Sequence, residues 1–169
     1  MSLSDTKKVA AIISDAGGKI VGRTKLQKVA YLLRVTGVED EFSFSYKHYG
    51  PYSEDLANAA RMGSLLGDLR EIESPASWGG TYSTYIADQP TEATEGRKAL
   101  AALAASADAV ELELAATAVF LAREGYEHAW VETARRKPEK SDNGRIDRAK
   151  DLLRSLSKIP VPRPLPSIV

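Results

Sequence analysis

One stretch limits the folds open to this chain more than any other. Between Arg23 and Ser53, the run Thr24-Lys25-Leu26-Gln27-Lys28-Val29-Ala30-Tyr31-Leu32-Leu33 is followed, after a short acidic break, by Phe42-Ser43-Phe44-Ser45-Tyr46-Lys47-His48-Tyr49-Gly50-Pro51-Tyr52-Ser53. Leu26, Val29, Ala30 and Leu33 recur at the spacing of one helix face. If that face is buried, Leu26→Ala costs about 2–5 kcal/mol. Phe42, Phe44 and Tyr46 alternate with Ser43, Ser45 and Lys47. This period of two predicts a strand with an aromatic, core-directed face, which His48 continues. Thr24 is expected to cap the helix, with Gln27 three residues on completing a capping box. Gly50 precedes Pro51 and is biased to extended backbone. Ser53 caps the next helix, whose first turn carries Glu54 and Asp55, suited to its positive end.

The remaining periodicities fill in the architecture. A first helix is predicted over about Asp5 to Asp15, stopped by Gly17-Gly18, with a small strand at Lys19–Gly22. A third helix runs from Ser53 to about Gly67 on a thin face of Leu56, Ala59, Ala60 and Gly63. Strands are predicted at Leu69–Glu73 and Thr81–Ile86 around the breaker-rich loop Ser74–Gly80, forming a β-hairpin or wing. Helices follow at Thr94–Ala105, from Asp108 to about Gly125, around Glu127–Arg136 with Trp130, and at Arg145–Lys158, with a polar loop at Lys137–Gly144. The tail Pro160–Pro166 favours polyproline II. The order predicts a mainly α chain with a small β element. It would have a winged helix-turn-helix-like core over about 5–88 and C-terminal helices over about 91–159, together one domain spanning 1–159, with a Pro-rich tail at 160–169.

Charge is zero in sum but uneven along the chain. Seven Lys or Arg face two Asp up to Thr36, and ten basic residues face five acidic ones from Ala129 onward. The segments between are acidic. Such a distribution predicts either that the ends fold against the middle or that one face recruits an acidic partner. Cysteine is absent, which excludes disulfides and thiolate metal sites and fits a cytoplasmic protein. No apolar run approaches the ~20 residues needed to span a bilayer, and no secretory signal is expected at the N-terminus.

Chemistry-bearing motifs are missing. There is no Gly-x-Ser-x-Gly elbow, phosphate-binding glycine loop or Rossmann fingerprint, and Gly17-Gly18-Lys19 reads as a helix stop. His48 and His128 stand far apart in sequence, so no metal site and no cofactor are expected. Glu54-Asp55 and Glu111 with Glu113 have helix-start or surface explanations. The expectation is therefore not an enzyme. A winged helix normally reads DNA with its third helix, but here that helix offers Glu54, Asp55, Asn58 and Arg61, and the wing carries Glu71 and Glu73 beside Arg70. That is a poor match to a phosphate backbone.

The Thr24–Leu33 helix followed by Tyr49-Gly50-Pro51-Tyr52-Ser53 resembles the YwgA-like group and the wider Panacea (SocA-like) antitoxin domain, over Arg23 to about Leu66, with Trp130 in a late helix also fitting. The resemblance implies a mostly helical, non-enzymatic domain. It also implies that relatives neutralise toxins by direct contact or sit in phage-defence and mobile-element contexts. The resulting expectation is an antitoxin-like or adaptor-like protein-interaction module, with a protein partner such as a toxin and no membrane. Its partner-binding surface would combine Lys25 and Lys28 on the exposed side of the second helix with Lys47, Tyr49 and Tyr52 at the turn. A winged-helix DNA-binding regulator is the second reading, and a homodimer stays open.

Overall fold

The computed structural model describes residues 3–37, 42–90 and 92–168, so the acidic break at 38–41 lies outside the described residues. The chain is mainly helical, with two small antiparallel sheets. Its N-terminal part runs α1 (Leu3–Asp15), β1 (Lys19–Val21), α2 (Arg23–Thr36), β2 (Ser45–Lys47), β3 (Gly50–Tyr52), α3 (Glu54–Leu66), β4 (Arg70–Pro75) and β5 (Thr81–Ile86). The C-terminal part adds α4 (Glu95–Ser106), α5 (Ala109–Arg123), α6 (Ala129–Arg136), a 3-10 turn at Pro138–Lys140 and α7 (Arg145–Ser157).

Two helices have almost no solvent face. In α2, every residue from Leu26 to Leu33 is buried, and in α5 the buried run extends from Leu112 to Val119. They pack on each other, with α4 also against α2, and α6 and α7 also against α5. Around them, α1, α2 and α5 supply Val9, Ile12, Ile13, Leu32, Leu112 and Leu114 to one apolar core. In the first sheet the strand order is β1-β5-β4. Ile20 of β1 and Tyr85 of β5 are register partners and point inward, whereas Val21, Ile72 and Tyr82 face out.

Three local expectations are corrected. Gly22, not Thr24, is the N-cap of α2, and no side chain caps it; Gln27 is drawn instead to a distant partner. The aromatic ribbon is a strand only over Ser45–Lys47, because it pairs with an unforeseen strand, β3, in a hairpin with Lys47 opposite Gly50. The alternation still orients the aromatics: Phe42 is buried and Phe44 and Tyr46 are half-buried, but the face ends there, since the turn exposes His48. Tyr31 holds this ribbon edge-on, with its ring 5.3 Å from that of Phe44. The proline-rich tail docks on the body: the Arg163 amide donates to Thr36 O at 3.0 Å, its guanidinium to Arg34 O at 2.7 Å, and Leu165 is buried.

Leu26 lies 2% exposed, where α2 meets α3 and the first sheet. Leu26→Ala is expected to lower unfolding stability by about 2–5 kcal/mol, read from the urea midpoint at unchanged m-value.

Candidate functional site: a hairpin clamped from beneath by Gln27 and Lys28

The β2–β3 hairpin is fixed by side chains that rise from α2. Gln27, buried, exchanges two hydrogen bonds with the backbone of Ser53: its Nε2 donates to Ser53 O at 3.0 Å, and Ser53 N donates to its Oε1 at 2.8 Å. The carboxamide thus serves Ser53 as a neighbouring strand would. The Ser53 hydroxyl meanwhile accepts from Leu56 N at 3.1 Å and starts α3. One residue of α2 therefore sets where the hairpin ends and the next helix begins.

Lys28 is the largest fully buried side chain among the described residues, at 0% exposure, and its Nζ donates to Pro51 O at 2.7 Å. Lys137, also buried, donates to His48 O at 3.1 Å from the far side of the turn. Two ammonium groups thus hold the two carbonyls that flank Tyr49-Gly50. Buried cations need an anion, and Glu113 of α5 supplies it: its Oε2 is 2.9 Å from Lys137 Nζ and 2.9 Å from Lys140 Nζ. Gly50 closes the arrangement. Its φ is +92°, and a Cβ there would come within 2.4 Å of Thr117 Oγ1, so only glycine fits between hairpin and α5.

Burial lowers the Lys28 pKa to about 7. Glu113 acts against that shift, while Lys137 and Lys140 add to it. Burial also lowers Lys25, with Asp108 opposing. Tyr31 and Tyr85 are raised, both chiefly by burial.

The five residues expected to form one exposed surface do not share one environment. Tyr49, 49% exposed, sits at the hairpin tip with its ring 4.8 Å from that of His48 and 4.6 Å from Lys140 Nζ, and Lys47 beside it is exposed. Lys25 and Tyr52 are half-buried. Lys28 is not on the exposed side of α2: its ammonium is taken by the hairpin backbone, and the expected exposed position is corrected. Glu113 and Lys137, assigned from sequence to a helix start or surface and to a polar loop, are both buried. A carboxylate between Leu112 and Leu114 in so apolar a helix was the available signal, because such a group must find a buried partner.

Beside the hairpin lies a cleft of about 640 Å³ between α2, α3 and the inner face of the first sheet. Leu26, Gln27, Ala60, Tyr52 and Tyr85 line it, with Arg23, Arg61, Glu71 and Glu73 around them. Its carboxylates are engaged: Arg23 donates to Glu73 at 3.1 Å and the Ser83 hydroxyl to Glu71 at 2.5 Å. Among the described residues no three His, Asp or Glu side chains cluster to hold a metal ion, and no helix is long and apolar enough to cross a membrane.

The chain is similar to "Uncharacterized protein YwgA" of Bacillus subtilis (strain 168), with 34% identity over 71 residues. That stretch covers 42% of this chain and 42% of the Bacillus protein, so the chain spans less than half the length of the relative it matches. No protein-family profile matches the chain, and no solved structure matches it.

Lys28 gives the clamp a pH signature. Between about pH 7 and the ordinary lysine value of 10.5 the unfolded chain holds a proton that folded Lys28 has lost, so stability rises with pH in that window and is flat below it. The slope is expected to approach about 1 kcal/mol per pH unit. Above about pH 10 the raised tyrosines oppose it, since the unfolded state then loses their protons first. Urea midpoints from pH 7 to 9.5 are expected to rise for the wild type and to rise much less for Lys28→Met, which keeps only the smaller contribution of Lys25.

Proposed function

We propose that this chain is a non-enzymatic protein-interaction module, antitoxin-like or adaptor-like, that docks or neutralises a protein partner by direct contact through the clamped hairpin. The observation that carries this reading is the fixed presentation of Tyr49: an exposed aromatic ring at a hairpin tip, flanked by Lys47 and Lys140, whose backbone is held from beneath by Lys28 and Lys137. Exposed aromatics with few rotatable bonds on a rigid support supply interface area at small entropic cost. Tyr52 extends the surface toward the cleft and Lys25 adds charge at its edge.

The resemblance of the Thr24–Leu33 and Tyr49–Ser53 segments to the Panacea domain supports the antitoxin-like form of this reading, with a toxin as partner and a cytoplasmic, phage or mobile-element setting. The engagement of the cleft carboxylates by Arg23 and Ser83 supports a binding role over acid–base chemistry.

A second reading, a winged-helix transcription regulator, is favoured by the β1-β5-β4 strand order and by the succession of α1, β1, α2, α3 and the β4–β5 hairpin. Against it stand the negative charges of Glu54 and Asp55 at the start of α3 and of Glu71 and Glu73 on β4, a poor match to a phosphate backbone.

The two readings separate in one experiment. The chain is co-expressed with the product of its neighbouring gene, purified through a tag, and compared with the double variant Tyr49→Ala/Tyr52→Ala, checked for an unchanged circular dichroism spectrum. Loss of the co-purifying partner is expected. Undiminished capture would remove this surface, and salt-sensitive binding of the chain to the operon's promoter DNA would favour the regulator.

A further inference from the structure

The basic C-terminal segment leaves one row of cations outside the ion-pair framework of the core. Lys150 and Arg154 stand on successive turns of α7 and Lys158 caps its C-terminus in helical conformation, so their Cα atoms are about 6 Å apart along the helix axis. They border a cavity of about 540 Å³ whose floor and opposite wall are apolar: Trp130 of α6, Leu153 of α7, and Leu165, Pro166 and Ile168 of the docked tail. Among the described residues no acidic side chain lines it. Arg154 is bound to Asp151, but that pair is exposed on both sides, so it exchanges readily for another carboxylate. Among the described residues neither Lys150 nor Lys158 has an ion-pair partner. The wall made by the tail is anchored through Arg163 and Leu165, so the cavity is part of the folded body.

We propose that this groove between α7 and the tail is a second docking site, distinct from the hairpin, and that its occupant is an acidic segment of a partner protein. Charge complementarity sets the class. A row of cations beside a tryptophan-floored apolar trough fits a peptide that alternates carboxylates with aliphatic side chains. Carboxylates on alternate residues of an extended strand repeat every ~6.8 Å, and those one turn apart on a helix every ~6 Å, both matched to the spacing on α7. The carboxylates meet Lys150, Arg154 and Lys158 while the aliphatic groups cover Trp130, Leu153 and Leu165. The volume is in the range of sites that bury small ligands or a few side chains.

Trp130 provides the readout. The chain has two tryptophans, and Trp78 on the wing loop is 74% exposed, so Trp78→Phe leaves Trp130 as the single reporter. In that background a short synthetic peptide of repeated Glu-Leu is expected to shift Trp130 fluorescence saturably, and the Gln-Leu analogue is not. Lys150→Gln/Arg154→Gln/Lys158→Gln, which changes only groups at least partly exposed, is expected to weaken the acidic peptide roughly tenfold at an unchanged melting temperature. Tyr49→Ala is expected to leave this affinity unchanged, which separates a failure here from a failure of the hairpin reading. The proposal is overturned if the Glu-Leu peptide leaves Trp130 unchanged, if the Gln-Leu analogue binds as well, if the triple variant binds undiminished, or if only phosphatidylserine vesicles or duplex DNA produce the shift.

Discussion

A glutamine and a lysine adjacent in α2 hold a segment some two dozen residues further on, and much of the remaining structure follows from that contact. Gln27 satisfies both backbone groups of Ser53, and Lys28 reaches the carbonyl two residues earlier. Because Ser53 also caps α3, the same contact fixes the start of that helix. An unpaired buried amide or carbonyl costs on the order of 1–3 kcal/mol, so the carboxamide at Gln27 is specified by the backbone it faces. Ser53 O also accepts from Ala57 N at 3.2 Å, so an apolar residue of similar size would strand the Ser53 N–H.

Burying Lys28 demands compensation that spreads across the fold. Glu113 provides the negative charge from the middle of α5, and Lys137 and Lys140 complete its coordination from the segment after α6. This ties the C-terminal helices to the hairpin by electrostatics in a region from which solvent is excluded, where each charge weighs far more than at the surface. The wider charge pattern has the same sense. Arg23 pairs with Glu71 and Glu73, Lys7 with Asp68, and Arg148 with Glu111, so the basic ends fold against the acidic middle. Lys150 and Lys158, at the far end of the chain, take no part in these pairs.

Elements defined by apolar periodicity were legible in the sequence. α1, α3, α5 and α7 fall close to where their spacing and caps place them, and β4 and β5 pair as a hairpin about the breaker-rich loop that separates two β-prone runs. The hairpin was half legible: alternation oriented Phe42, Phe44 and Tyr46, but a three-residue strand containing Gly50 and Pro51 has no propensity signal, and it exists because Gln27 and Lys28 hold it. The site was misjudged for a related reason. A lysine on a helix is normally solvated, and only three-dimensional contact with Pro51 O, beside the charge of Glu113, makes Lys28 a buried one. Local pattern reports which face of an element is apolar. It does not report which polar residue is matched to a distant piece of backbone.

The central claim is that the Gln27 carboxamide holds the hairpin to α2, and the amide proton of Ser53 reports on it directly. Hydrogen exchange at Ser53 is measured in the wild type and in Gln27→Ala under conditions where both are folded. Strong protection in the wild type that collapses in the variant, with core amides of α5 still protected, is the expected result. A Ser53 amide that exchanges freely in the wild type, or that stays equally protected without Gln27, would contradict the account.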